Sequence, residues 1–237
     1  MEDERRRVRR DVVSFVRRSA RMNESQERAW AAHHDRYVVA VAREERSTSV
    51  AEQAPLDLVD LYGRAAPLIV EIGSGTGHAL EAAAAARPDA NHLAFEVFAP
   101  AVASTVGRLA TEGLLNVRIV MADGVQGLTH LLARGAAEEI RIWFTDPWHK
   151  ARHAKRRLVS AAFGDLVASR LAADGALRIA TDWQEYADHV HEVLDAHPRF
   201  VSLNPVPRFE ERPLTKYESR GIAAGRAIHD LAYRARP

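Results

Sequence analysis

Leu68-Ile69-Val70-Glu71-Ile72-Gly73-Ser74-Gly75-Thr76-Gly77 carries a largely apolar pentad into three alternate glycines. The pentad Leu68 to Ile72 predicts a buried strand, and the glycines after it let backbone approach a ligand at the strand's carboxyl end. His78 to Ala86, nearly all alanine, predicts a helix that stops at Arg87-Pro88, because proline cannot continue the hydrogen-bond ladder. Strand, glycine turn and helix in that order open a βαβ unit. His78 stands where a dinucleotide fingerprint needs its third glycine, which counts against NAD.

From Leu68 onward short apolar runs alternate with helix-length segments, the pattern of a parallel α/β sheet. Further strands are expected at His92 to Val97, Val117 to Met121, Ile140 to Phe144 and Ala176 to Ala180. Helices are expected at Pro100 to Leu109, Val125 to Ala133, Leu158 to Leu171 and Gln184 to Ala196. Past Pro198 the pattern changes to a terminal strand pair, Phe200 to Leu203 and Ile228 to Tyr233, around a long loop rich in Pro, Arg and Glu. The chain divides near residue 66: residues 1–66 read as a basic, partly mobile arm and connector, and residues 67–237 as the α/β domain.

With 237 residues and 47% hydrophobic content, the chain can bury a core as one domain plus an appendage. The absence of cysteine excludes disulfides, thiol catalysis and thiolate metal sites. No apolar run approaches the roughly 20 residues of a membrane helix. No apolar segment follows Met1-Glu2-Asp3-Glu4-Arg5-Arg6-Arg7, so a cytoplasmic protein without a membrane partner is expected. The net charge is only +1, but arginines 5, 6, 7, 9, 10, 17, 18, 21 and 28 crowd the N-terminal segment, and a second basic cluster follows residue 149. Local patches of that kind steer anions where the total charge does not.

The acids have a pattern of their own. Glu71, Glu96, Asp123 and Asp146 fall at the carboxyl ends of four successive predicted strands, where open α/β sheets bind ligands. Glu96 suits two ribose hydroxyls and Asp123 an exocyclic adenine amine. Four acids with no Lys or Arg in the glycine loop disfavour a pyrophosphate and suit a cationic ligand. S-adenosylmethionine, with a sulfonium, an amine, a ribose and an adenine, matches that inventory.

Thr145-Asp146-Pro147-Trp148-His149-Lys150, followed by Ala151-Arg152-His153-Ala154-Lys155-Arg156-Arg157, joins a carboxylate, an aromatic face and a dense positive patch. The combination points to a reactive ring attached to phosphate, as in nucleic acid. Asp182, after the strand Ala176 to Ala180, faces the same edge of the sheet as Asp146, or else caps the next helix. The histidines lack ligand spacing, so no metal is expected.

Glu71-Ile72-Gly73-Ser74-Gly75-Thr76-Gly77, Asp146 to His153, Thr181-Asp182-Trp183 and Thr215-Lys216-Tyr217-Glu218 occur in that order, and together they resemble the bacterial tRNA (guanine-N7-)-methyltransferases. Ser14 to Arg18 and Arg21-Met22 resemble that family's N-terminal arm. The resemblance implies a class I methyltransferase fold: a Rossmann-like seven-stranded sheet with helices on both faces, its last two strands antiparallel. It also implies methyl transfer from S-adenosylmethionine to N7 of the variable-loop guanine of tRNA. Carried over by position, Glu71, Gly73, Gly75, Gly77, Glu96, Asp123 and Asp146 would hold the cofactor, with Asp146 also catalytic. Lys150, Asp182, Thr215, Lys216, Tyr217 and Glu218 would contact the substrate, and Arg152, His153, Lys155, Arg156 and Arg157 the RNA. Three positions depart from the family pattern: Thr145 replaces a proline, Tyr217 a phenylalanine and Phe98 a polar residue. A non-catalytic RNA-binding protein of this fold and a small-molecule N-methyltransferase are the alternatives, and monomer and homodimer are both compatible with the sequence.

Overall fold

The computed structural model describes residues 21–44 and 48–236. The seven arginines from 5 to 18 and the Ser14 to Arg18 segment lie outside the described residues. Seven strands form one sheet: β1 Leu68–Ile72, β2 Asn91–Phe95, β3 Val117–Val120, β4 Ala137–Trp143, β5 Leu171–Thr181, β6 Phe200–Ser202 and β7 His229–Ala235. Their order is β3-β2-β1-β4-β5-β7-β6. The first five run parallel, whereas β7 lies antiparallel to both β5 and β6. Strand order reverses between β1 and β4, so a crevice opens beyond their carboxyl ends.

Alternation along the strands makes two cores. Val70, Leu93, Ile140, Ile142, Leu177 and Ile179 point to one face. There they meet α5 (Gly124–Leu131), α6 (Ala161–Arg170) and α7 (Gln184–Asp195). Each such fully buried side chain contributes about 1.5–3 kcal/mol. On the other face Ala94, Val117 and Ile119 meet Leu80 and Ala84 of α3 (His78–Ala86) and Val102, Val106 and Leu109 of α4 (Ala99–Thr111). A third cluster, Trp143, Ala180, Ala232 and Phe209, covers the β4–β5–β7 part of that face.

The N-terminal region differs from its sequence reading. Glu24–Tyr37 is a helix, α1, opened by a reciprocal capping box between Asn23 and Gln26. Gly107 of α4 lets it approach closely: a Cβ there would lie 3.2 Å from that of Ala29. Tyr37 is 1% exposed, and the Val39 amide donates to the Ile119 carbonyl at 2.8 Å. Farther on, Val50 is fully buried and the Leu56 amide donates to the Leu131 carbonyl. After the short helix α2 (Leu58–Tyr62), the Tyr62 hydroxyl donates to the His92 carbonyl at 2.6 Å. The described residues from 23 to 62 thus pack on the domain that follows, across the boundary expected at residue 66.

Two other elements also depart from expectation. The helix expected from Leu158 begins at Ala161, because Ser160 caps it by accepting from the Phe163 amide; it ends at Arg170, where Leu171 starts to pair with Ala137. Lys216–Ala223, expected in a loop, is a helix, α8. Among the described residues no helix is long and apolar enough to cross a membrane.

Candidate active site

The crevice is a cavity of about 400 Å³. The loop after β1 forms its floor, and Gly73, Gly75 and Gly77 all adopt positive φ, at 76°, 55° and 80°. Side chains rarely take that conformation, so glycine is required for the turn. Gly73 and Gly75 line the cavity. Gly77 does not: it opens α3 and packs on α4, where a Cβ would stand 2.5 Å from Thr105 Cγ2. With glycine as its N-cap, α3 has no side-chain acceptor for its first amides.

Glu96 ties this loop to β2. Its Oε2 accepts from the Gly75 amide at 2.8 Å, and its Oε1 accepts from the Val97 and Phe98 amides, each at 2.8 Å. Asp123 caps α5, accepting on Oδ1 from the Val125 and Gln126 amides. Burial raises its pKa despite those bonds. Glu71 is 3% exposed, and its Oε2 is buried without a hydrogen-bond partner, as is Ser74 Oγ. Burial pushes the Glu71 carboxyl up to about 7, opposed by Arg141 and reinforced by Glu96. A buried carboxylate oxygen with no partner, facing a cavity ringed by Glu96, Asp123 and Asp146, fits a cationic ligand and not a phosphate.

Asp146 enters the cavity from a tight corner after β4. Phe144 and Trp148, at the two ends of the Thr145-Asp146-Pro147 run, have φ of 51° and 46°. Non-glycine residues held there cost on the order of 1–3 kcal/mol each and persist only where surroundings enforce them. The surroundings are identifiable. The Phe144 amide donates to the Ala180 carbonyl, and Arg157 Nε donates to the Pro147 carbonyl at 3.1 Å. The Arg156 guanidinium lies 4.8 Å from the Trp148 ring, whose edge is met by His153.

Across the cavity, α8 presents Thr215, Lys216, Tyr217 and Arg220. Thr215 caps the helix by accepting from the Glu218 amide at 3.1 Å. Glu218 itself turns inward, 1% exposed, onto Arg208 and Arg212. Asp182 lies beneath α8 rather than on the cavity wall, and its Oδ2 accepts from Arg226 Nε and Nη2 at 2.9 and 2.7 Å. It does not cap α7, whose N-cap is Trp183.

The basic tract is a 3₁₀ turn over Ala151–Arg156, outside the cavity. Lys150, Arg152, Lys155 and Arg156 are exposed, whereas Arg157 is half-buried over the Tyr186 ring. Among the described residues no group of three or more His, Asp or Glu side chains is placed to hold a metal ion.

The cavity residues that the sequence reading did not assign to the site include the polar side chains of Gln26, His78 and Arg220. Gln26 is held by Pro100 and Ser104 of α4, at 3.0 Å each. The spacing Asn23-x-x-Gln26 is a helix-start signal that would have revealed it, and Thr215-x-x-Glu218 is another that would have placed Arg220 one turn along a helix.

The sheet order and the glycine loop beyond β1 give the chain the class I methyltransferase fold. A family model described as "Putative methyltransferase" matches residues 65–231. The tRNA (guanine-N(7)-)-methyltransferase of Cutibacterium acnes is 49% identical over 236 residues, covering 96% of this chain and 84% of the relative. That of a Nocardioides species is 47% identical over 227 residues, covering 96% and 88%. Among solved structures, the 16S rRNA (adenine(1408)-N(1))-methyltransferase of Catenulisporales acidiphilia, with its cosubstrate, shares the fold at a TM-score of 0.53 and 15% identity, over 80% of this chain and 95% of that one. The chain belongs to the tRNA (guanine-N(7)-)-methyltransferase family.

Proposed function

We propose that the protein methylates N7 of the variable-loop guanine of tRNA, in the cytoplasm. The observation that carries this reading is the meeting of two walls in one cavity: Glu71, the glycine loop, Glu96 and Asp123 on one side, and Thr215, Lys216 and Tyr217 of α8 on the other, with Asp146 between them. The names of the relatives support the tRNA and guanine-N7 part of it.

When bound, S-adenosylmethionine supplies an electrophilic methyl group on a sulfonium. Guanine N7 has an in-plane lone pair and no proton, so the reaction needs alignment rather than a strong base. Glu71 and Asp123 would hold the cationic and adenine ends and Glu96 the ribose, and the strained corner would aim Asp146 at the reacting base. Positive charge grows on the imidazole ring of the guanine, and the fixed Asp146 carboxylate stabilises it. Thr215, Lys216 and Tyr217 position the base from above. Asp182, beneath α8 and held on Oδ2 by Arg226, would meet the guanine N1 and N2 protons through Oδ1 only at the edge of the base far from N7, beyond the cavity wall. Lys150, Arg152, His153, Lys155 and Arg156 hold phosphates beside the corner, and Arg157 supports the corner from below.

The test is incubation with methyl-labelled S-adenosylmethionine and unmodified tRNA, then chemical cleavage at 7-methylguanine. Cleavage in the variable loop is expected, and Asp146→Asn should lower the rate about 10²–10³-fold. Asp182→Ala should lose transfer and keep cofactor binding. Label at another guanine would overturn the site, and tRNA binding with no label would favour a non-catalytic RNA-binding role.

A further inference from the structure

Arg212 is fully buried, in a segment whose sequence reads as part of the long loop rich in Pro, Arg and Glu. Its Nη1 donates to Glu218 Oε2 at 2.6 Å, and its Nη2 donates to both Asp230 oxygens at 2.8 Å. Arg208 completes the cluster: its Nε donates to Glu218 Oε1 at 2.8 Å, and its Nη2 donates to the Arg212 carbonyl at 2.7 Å. The Arg212 guanidinium also stands over two rings, 5.5 Å from Trp143 and 5.2 Å from Phe144. One cation therefore touches three elements: α8 through Glu218, β7 through Asp230, and the end of β4 through the two aromatics.

Two of those elements carry parts of the cavity wall. Phe144, with its φ of 51°, is the first residue of the corner that aims Asp146. Glu218 lies one turn into the helix whose Thr215, Lys216 and Tyr217 line the cavity. Both carboxylate oxygens of Glu218 are engaged and the side chain is 1% exposed, so it has no edge left for a base. A guanidinium suits the junction because its planar donor fork satisfies two carboxylates while its face packs on rings; a lysine ammonium does not combine these. The second dock of α8 is separate: Asp182 and Arg226 lie under Gly221, where a Cβ would come within 2.8 Å of Asp182.

We propose that Arg212 is a positioning residue that sets the distance between the Asp146 corner and the substrate-facing end of α8, with Glu218 acting through it rather than on the substrate. The proposal rests on the guanine-N7 reading for its kinetic arm, and its structural arm stands without that reading. Misplacement of reacting groups by about 1 Å costs on the order of 10²-fold in rate.

The test compares wild type with Arg212→Lys and Glu218→Gln, the second of which keeps the size of the side chain and part of its hydrogen bonding. Expected for both variants are cooperative unfolding, S-adenosylmethionine affinity by calorimetry within threefold of wild type, tRNA affinity unchanged, and kcat lowered at least tenfold. Hydrogen exchange should show faster exchange in α8 but not in β1 to β3. A folded Arg212→Lys with kcat within threefold of wild type overturns the proposal, as does unchanged exchange in α8. Cofactor affinity that falls in step with kcat overturns it too, since that would mark a general loosening. If wild type itself fails to methylate tRNA, the guanine-N7 reading fails, and exchange in α8 alone decides the role of Arg212. Should Arg212→Lys not fold, Glu218→Gln carries the same two readouts, and the same outcomes support or overturn the proposal.

Discussion

Glu71 shows how one residue's surroundings set a measurable property of the site. Because burial raises its pKa to about 7, the folded protein holds the proton more tightly than the unfolded chain, whose value is near 4.5. This group's contribution to stability therefore falls as pH rises from 4.5 to about 7. A cationic cofactor favours the ionised form, so binding below that pKa releases a proton. Cofactor affinity should fall by up to about tenfold for each pH unit below 7 and be flat above it. Glu71→Gln should bind more weakly and remove the dependence, as titration calorimetry between pH 5.5 and 8.5 would show. Glu71 was legible in sequence as an acid at a strand's end; its unpartnered oxygen was not, because that depends on which strands and loops close around it.

Among the elements, the 3₁₀ turn Ala151–Arg156 and the Arg157 that follows it divide their work between phosphate and fold. Lys155 is exposed, while Arg157 donates to Pro147 and lies over Tyr186. Changing each to alanine should separate the two roles. Lys155→Ala should weaken tRNA binding and lower the slope of log K against log salt by about 0.7–0.9 if one phosphate contact is lost. Arg157→Ala should lower kcat with a smaller change in that slope, because it releases the strained corner. Equal salt slopes for the two variants would refute the division. The sequence showed a run of cations, but packing decides which of them reach solvent: Arg157, just past the 3₁₀ turn, is drawn onto the Pro147 carbonyl and the Tyr186 ring. In the same way α8 stayed hidden, because Pro213 and the polar Thr215-Lys216-Tyr217-Glu218 run resemble a loop until Glu218 is seen to be buried.

For the protein as a unit, the described residues from 23 to 62 pack on the core they precede. A chain beginning at Pro67 would lose Tyr37 and Val50, which are 1% and 0% exposed, and would uncover the face of α4 and β3 that α1 covers. Those two side chains alone contribute about 3–6 kcal/mol, so the shortened chain should unfold at markedly lower urea than the full chain. An unchanged midpoint would show that the segment is separable. Local sequence sufficed for the α/β alternation, the glycine loop and the four acids at the strand ends, because strand periodicity and positive-φ turns are constraints that a few consecutive residues express. Long-range packing was needed to settle that α1 seals one face of the domain, that Gly77 packs on Thr105 instead of lining the cavity, and that Glu218 and Asp182 are held by Arg212 and Arg226. Such contacts bring together side chains from separate elements, and whether a carboxylate meets a substrate or a guanidinium depends on what the fold places against it.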